Sequence, residues 1–112
     1  MTQFNWKETW NYNTLDCDAL AVELDGVAYR LELENYYDER GLRVKYMMRS
    51  LSPSLHQVSK VKIFEPDYSS NGFNEFGWRY CETDNQDELK KVKEEAIRWA
   101  ESVISSDYSP PV

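Results

Sequence analysis

Histidine and cysteine are nearly absent: the chain has one histidine, His56, and two cysteines, Cys17 and Cys81, in 112 residues. A structural zinc site needs three or four such ligands at close spacing, so this inventory argues against a metal centre. Asp16 and Asp18 lack the spacing of a calcium loop. The two cysteines form no Cys-x-x-Cys and read as free thiols of a reducing compartment, which points to the cytoplasm. Glycine is also scarce, at four residues, and none sits in a phosphate-binding loop; Asp25-Gly26 and Asn71-Gly72 are isolated turn dipeptides. No cofactor is therefore expected. No apolar run approaches the roughly 18 residues of a membrane span. Residues Met1 to Lys7 contain no apolar signal core, so no secretory signal is expected either. Basic residues are in deficit: thirteen against twenty acids, a net charge of -7. A field of that sign repels nucleic acid and anionic membranes and attracts basic protein surfaces.

What the chain does have is aromatic bulk. Four tryptophans, eight tyrosines and four phenylalanines lie within a composition that is 41% hydrophobic. This supplies a core despite a mean hydropathy of -0.74. A chain of this length forms one domain that buries ~65% of its unfolded surface, enough to stand without disulfides or metal. The domain is expected over residues 1–105, with a flexible tail over 106–112 that contains Pro110-Pro111.

Periodicity sets the elements. Leu20, Val22 and Leu24 alternate, Asp25-Gly26 follows, and Val27, Tyr29, Leu31 and Leu33 alternate again. Asp-Gly favours a type I′ hairpin turn, because both central residues need positive φ. That turn sets Leu24 opposite Val27, Val22 opposite Tyr29 and Leu20 opposite Leu31. A second turn at Asp38 to Gly41 pairs Tyr37 with Leu42, Asn35 with Val44, Leu33 with Tyr46 and Leu31 with Met48. The other face then carries Glu32 and Glu34 beside Arg43, Lys45 and Met47. A first strand is expected over Gln3 to Trp10, another over Val58 to Phe64, and a short last one over Phe76, Trp78 and Tyr80, with a loop from Ser50 to Gln57. Asn85 with Glu88 makes a capping box for a helix from Asn85 to Ser105. Its apolar stripe runs through Leu89, Val92, Ala96, Trp99, Ala100, Val103 and Ile104, and such a stripe needs a sheet to cover. Trp78 and Trp99 are expected between sheet and helix. The fold class is α+β: a two-layer antiparallel meander of four to six strands with one face covered by the C-terminal helix.

The segment Phe64 to Tyr80 holds six aromatics in seventeen residues, broken by Pro66, Gly72 and Gly77. Rings at that density either cap a core or form a surface for a partner. Glu65, Asp67, Tyr68, Phe73, Glu75 and Phe76 are the candidate partner-binding residues, with Tyr68 and Phe73 the large rings that strand packing leaves over. Acids around exposed rings suit a partner with a basic, partly apolar groove.

A second candidate is a basic strand face of Arg43, Lys45 and Arg49, extended by Lys60 and Lys62 if these lie on the neighbouring strand. It would bind nucleic acid or another anionic ligand, against the opposition of Glu32, Glu34 and the net charge. A third reading is a small enzyme or enzyme subunit with a carboxylate site. No nucleophile elbow or triad spacing supports it, since His56 stands alone in the polar Ser-Pro-Ser-Leu-His run. The leading expectation is a non-enzymatic protein-binding module, possible also as a homodimer through an edge strand. Small acidic α+β chains of this kind are common among bacterial immunity proteins and phage inhibitors of host machinery. The similarity is one of class, with no residue-level match.

Overall fold

The computed structural model describes residues 4–9, 17–24, 26–39, 41–51, 61–69, 72–81 and 86–107. Among the described residues, six strands and one helix make an α+β fold of two layers. The strands are β1 (Lys7–Thr9), β2 (Cys17–Leu24), β3 (Val27–Asp38), β4 (Gly41–Leu51), β5 (Val61–Phe64) and β6 (Arg79–Tyr80), followed by α1 (Gln86–Asp107). The sheet runs β1-β2-β3-β4-β5 as an antiparallel meander, and β6 also pairs with β4. β5 pairs with residues 48–51 of β4 and β6 with residues 43–44, so the two lie end to end along one edge of β4.

Both central hairpins have the register that alternation dictates. Leu24 opposes Val27, Val22 opposes Tyr29 and Leu20 opposes Leu31. Leu31 opposes Met48, Leu33 opposes Tyr46 and Asn35 opposes Val44. A slip of one residue would turn every one of these side chains to the other face, so the buried face selects the register. Gly26 has φ of 84° and Gly41 of 115°, the positive values that both turns need.

The helix covers this face with Val92, Ala96, Ala100 and Ile104, all buried together with Leu20, Val22, Tyr29, Leu31, Leu33, Val44, Tyr46 and Met48. Recurrence every fourth residue puts these positions on one side of α1, and the small Ala96 and Ala100 allow close approach to the sheet. Polar contacts fix the helix along its length. Trp6 Nε1 donates to Glu101 Oε1 at 3.1 Å, and Tyr46 Oη donates to Glu95 Oε2 at 3.3 Å. At the C-terminal end Asp107 accepts from Tyr29 Oη at 3.0 Å and pairs with Lys62 Nζ at 2.6 Å. An acid in the last turn opposes the helix dipole, and these two donors offset that cost.

Several boundaries differ from the sequence expectations. β1 is shorter than Gln3 to Trp10; Phe4 and Trp6 precede it and pack against the core from outside the ladder, while Trp10 lies outside the described residues. Ser50 and Leu51 belong to β4, because their partners Tyr29 and Ala28 extend the ladder past the expected loop. The described part of β5 begins at Val61. α1 continues to Asp107, past the expected end at Ser105, and Lys62 and Tyr29 hold that last turn. Asn85, His56 and residues 108–112 lie outside the described residues. Cys81 is a buried free thiol, and burial pushes its pKa up. No helix among the described residues is long and apolar enough to cross a membrane.

The Asp107 contacts make a pH prediction. The Lys62 hydrogen bond, with help from Tyr29, holds the Asp107 carboxyl below its ordinary range. A depressed carboxylate stabilises the fold above its unfolded pKa and loses that contribution as pH falls through the folded value. Tyr29 is pushed up to about 12 by burial, then by its bond to Asp107. Its contribution is complete below pH ~10 and is lost as pH rises towards the folded value. Asp107→Asn should therefore lower stability at neutral pH and flatten the acid limb of a urea-melt series against pH. An acid limb identical to the wild type would show that the contact contributes nothing.

Candidate functional site

The chain between β5 and β6 leaves the edge of β4 as a loop and returns to it. Its described turns, at residues 67–69 and 74–78, are built from their own polar groups. Asp67 Oδ1 accepts from Ser69 N at 3.0 Å and from Ser69 Oγ at 2.6 Å, which closes an Asx turn. Those bonds hold the Asp67 pKa down. Asn74 Oδ1 accepts from Phe76 N at 2.9 Å and Trp78 N at 3.1 Å. Gly77 N donates to Asn74 O and Asn74 N donates to Trp78 O, so residues 74–78 form a closed turn. Phe73 bridges to Arg79 across its base.

Two rings fasten this loop from beneath. Phe73 packs edge-on against Tyr46 with centroids 5.3 Å apart, and Tyr46 in turn meets Trp99 of the helix at 5.4 Å. Tyr68 stacks on Phe73 at 6.0 Å. Burial raises the Tyr68 pKa, as do the charge of Glu65 and the hydrogen bond to it. For Tyr68 and Phe73 the sequence leaves a core cap and a partner surface both open; here both are half-buried, with Phe73 packed against the helix-side core and Tyr68 resting on it. The reason is steric: Gly77 leaves room for the Tyr68 ring, and a β-carbon there would lie 2.6 Å from Tyr68 Cζ.

Phe76 has the opposite placement. Its alternation with Trp78 and Tyr80 suggests a strand, but β6 contains only Arg79 and Tyr80. Gly77 at φ 82° and the Asn74 bonds turn the chain at this point. Phe76 is left 67% exposed, the most exposed large apolar side chain of the described residues. Glu65, Asp67 and Glu75 are exposed as well. The loop thus presents three carboxylates and one ring on a backbone that its own bonds hold in place.

The basic strip does not assemble as expected. Arg43, Lys45 and Arg49 do share the sheet face opposite the helix, since their cross-strand partners are Tyr36, Glu34 and Arg30. Lys62 opposes Ser50 and points to the helix side, where it binds Asp107. Arg49 pairs with Glu32 at 3.0 Å, and Arg30 meets the same carboxylate at 3.5 Å. Lys60 lies outside the described residues. Trp78, expected between sheet and helix, instead lies on the far face beside Tyr36, at 6.3 Å between centroids. β6 docks on β4 with Arg79 towards the helix, where it meets Glu95 at 3.4 Å, so its neighbour Trp78 must face away.

An enzyme reading would need convergent polar groups in a cavity. A crevice of about 480 Å³ runs beside the β2 edge, lined by Lys7, Glu8, Ala21, Glu23 and Ala28 among others. Its carboxylates diverge: Glu8 pairs with the inward Leu20, whereas Glu23 pairs with the outward Ala28. Among the described residues no group of three or more His, Cys, Asp or Glu is placed to hold a metal ion. Comparison of the chain with protein-family models, with curated proteins and with solved structures finds no match.

Proposed function

We propose that this chain is a non-enzymatic protein-binding module whose contact surface is the Glu65–Phe76 loop. One observation carries the reading: the turn over residues 74–78, closed by its own hydrogen bonds, holds a phenylalanine 67% exposed, with three exposed acids in the same loop. A ring held out in water by a rigid turn loses little entropy on binding, which is how interface anchors reach high affinity. The partner has a basic surface with a pocket for Phe76. Glu65, Asp67 and Glu75, backed by the net charge of -7, speed the encounter. Where that basic surface normally holds nucleic acid, occupation by the loop inhibits it, in the manner of phage and immunity-type inhibitors.

The test has two stages. Immobilised chain is used to capture partners from its native host, and the captured protein is then purified for titration. Phe76→Ala should weaken Kd by about 30-fold or more, the scale of a hot-spot truncation. Its Tm should stay within about 2 °C of the wild type, as for other exposed sites. Glu65→Gln with Glu75→Gln should slow association and reduce its salt dependence. Unchanged affinity of Phe76→Ala would remove the loop from the interface.

A further inference from the structure

β5 ends the five-strand path, and among the described residues no strand pairs with its outer side. Cys81 N donates to Leu42 O, so the even-numbered residues of β4 turn their backbone groups towards β6 and β5. Lys62 and Phe64 oppose Ser50 and Met48, so their own N–H and C=O groups face β4. Ile63 directs its N–H and C=O the other way, to the open edge. Its side chain opposes Arg49 on the face away from the helix and is 52% exposed. On the helix side a crevice of about 350 Å³ opens beside the same strand, lined by Phe64, Ser102, Val103, Ser106 and Asp107. An inward lysine such as Lys62 guards an edge against pairing, but here Asp107 neutralises it at 2.6 Å. Open backbone, an exposed apolar side chain on one face and a crevice on the other are the features that receive an added strand. The broad face of the sheet offers less. The Arg43 guanidinium lies between Tyr36 and Trp78, its Cζ 4.5 and 4.6 Å from their ring centroids, and Glu32 engages Arg30 and Arg49.

We infer that β5 pairs with β5 of a second copy of this chain, antiparallel and centred on Ile63, joining two sheets edge to edge. Such a contact is two-fold symmetric, so one residue of the strand lies opposite itself. A centre at Lys62 sets like charges opposite each other, which is unfavourable. A centre at Phe64 leaves almost no overlap, because the strand ends there. A centre at Ile63 sets Ile63 against Ile63 and covers the exposed side chain in both copies. It also sets Lys62 of each copy opposite Phe64 of the other, beside the crevice. Lys62 and Phe64 already make that contact within the chain, with Nζ 5.0 Å from the ring centroid. Lys62 and Asp107 cancel at the contact, so two chains of charge -7 approach here with less repulsion than elsewhere. The interface is small, below about 1,200 Å², so the dimer is weak, with Kd on the order of 10–100 µM. The inference is independent of what the Glu65–Phe76 loop binds.

Sedimentation equilibrium of the full chain, from about 5 to about 500 µM, should show a mass that rises from 13.3 kDa towards twice that value. Ile63→Lys should weaken association about tenfold or more, because it puts two like charges at the axis. Ile63→Pro removes the N–H that faces the open edge and leaves the β4 ladder its donors, and it should weaken association as much. Phe76→Ala should leave association unchanged. Thermal melts establish that each variant is folded. Hydrogen exchange locates the contact: the Ile63 amide should gain protection as concentration rises, while the amides of β1 should not. A chain that stays monomeric throughout, leaving the edge to a foreign strand, would overturn the proposal. So would association that both Ile63 variants retain in full, or concentration-dependent protection at β1 in place of β5.

Discussion

Leu31→Ala is expected to destabilise the fold by about 3–4 kcal/mol, within the range for a buried leucine truncated in a tightly packed site. Leu31 has no exposed surface and lies on the central strand β3, between Leu20 on β2 and Met48 on β4. Both neighbours are themselves buried and held in ladders, so the site has little freedom to collapse into the void. On a domain of this size the melting temperature should fall by roughly 12–20 °C. Urea melts should show a lower midpoint with an unchanged slope, the mark of lost packing in an intact native state. Leu31→Met, which conserves volume, should cost less than about 1.5 kcal/mol. A loss below about 1 kcal/mol for the alanine variant would mean that helix and sheet do not pack as described. The contrast with Phe76→Ala is the useful one: a similar apolar truncation, expected to leave stability alone and to act only on binding.

That contrast also shows which residues could be read from the chain and which could not. Leu20 to Leu33 alternate around an Asp-Gly turn, and Ala96, Ala100 and Ile104 recur at helical spacing. In these segments local turn chemistry, hydrophobic period and tertiary burial agree, so the register was legible. The loop has no period. Whether Tyr68, Phe73 or Phe76 is exposed depends on a side-chain amide, Asn74, that takes two backbone donors, and on the missing β-carbon of Gly77. Neither leaves a pattern in composition. The Tyr36, Arg43 and Trp78 cluster was hidden for another reason. Trp78 reaches Arg43 only because β6 docks on β4 beyond the end of β5, a contact 35 residues distant in sequence. Lys62 was misjudged by one face, since only its pairing with Ser50 decides the side on which it emerges. Phe76 is a candidate from the sequence, and the signal for its exposure is the Asn74-x-x-Gly77 spacing, a turn signature within an apparent strand.

Gly77→Ala should have the largest effect of any loop substitution, and it should couple loop order to binding. Gly77 is buried at φ 82°, and an added Cβ would lie 2.6, 2.9 and 3.0 Å from three atoms of the Tyr68 ring. Holding alanine in the left-handed region costs about 1–2 kcal/mol. Displacing a packed ring adds ~1–3 kcal/mol. Tyr68 cannot yield without disturbing Phe73, which rests on Tyr46, which rests on Trp99. Two results are possible for the fold, and hydrogen exchange separates them. If the loop is one cooperative unit with the core, exchange and Tm change together, with Tm lower by roughly 10 °C. If the loop opens on its own, residues 74–78 lose protection while the ladders of β2, β3 and β4 keep theirs. Partner affinity falls in both cases, because Phe76 is no longer held by the Asn74 turn. Adding Tyr68→Ala to Gly77→Ala should remove the steric part and leave the backbone part, so the two substitutions should cost less together than the sum of each alone. Strict additivity would show that the ring and the glycine do not touch. Full partner affinity in Gly77→Ala would show that the ordered turn is not what presents Phe76.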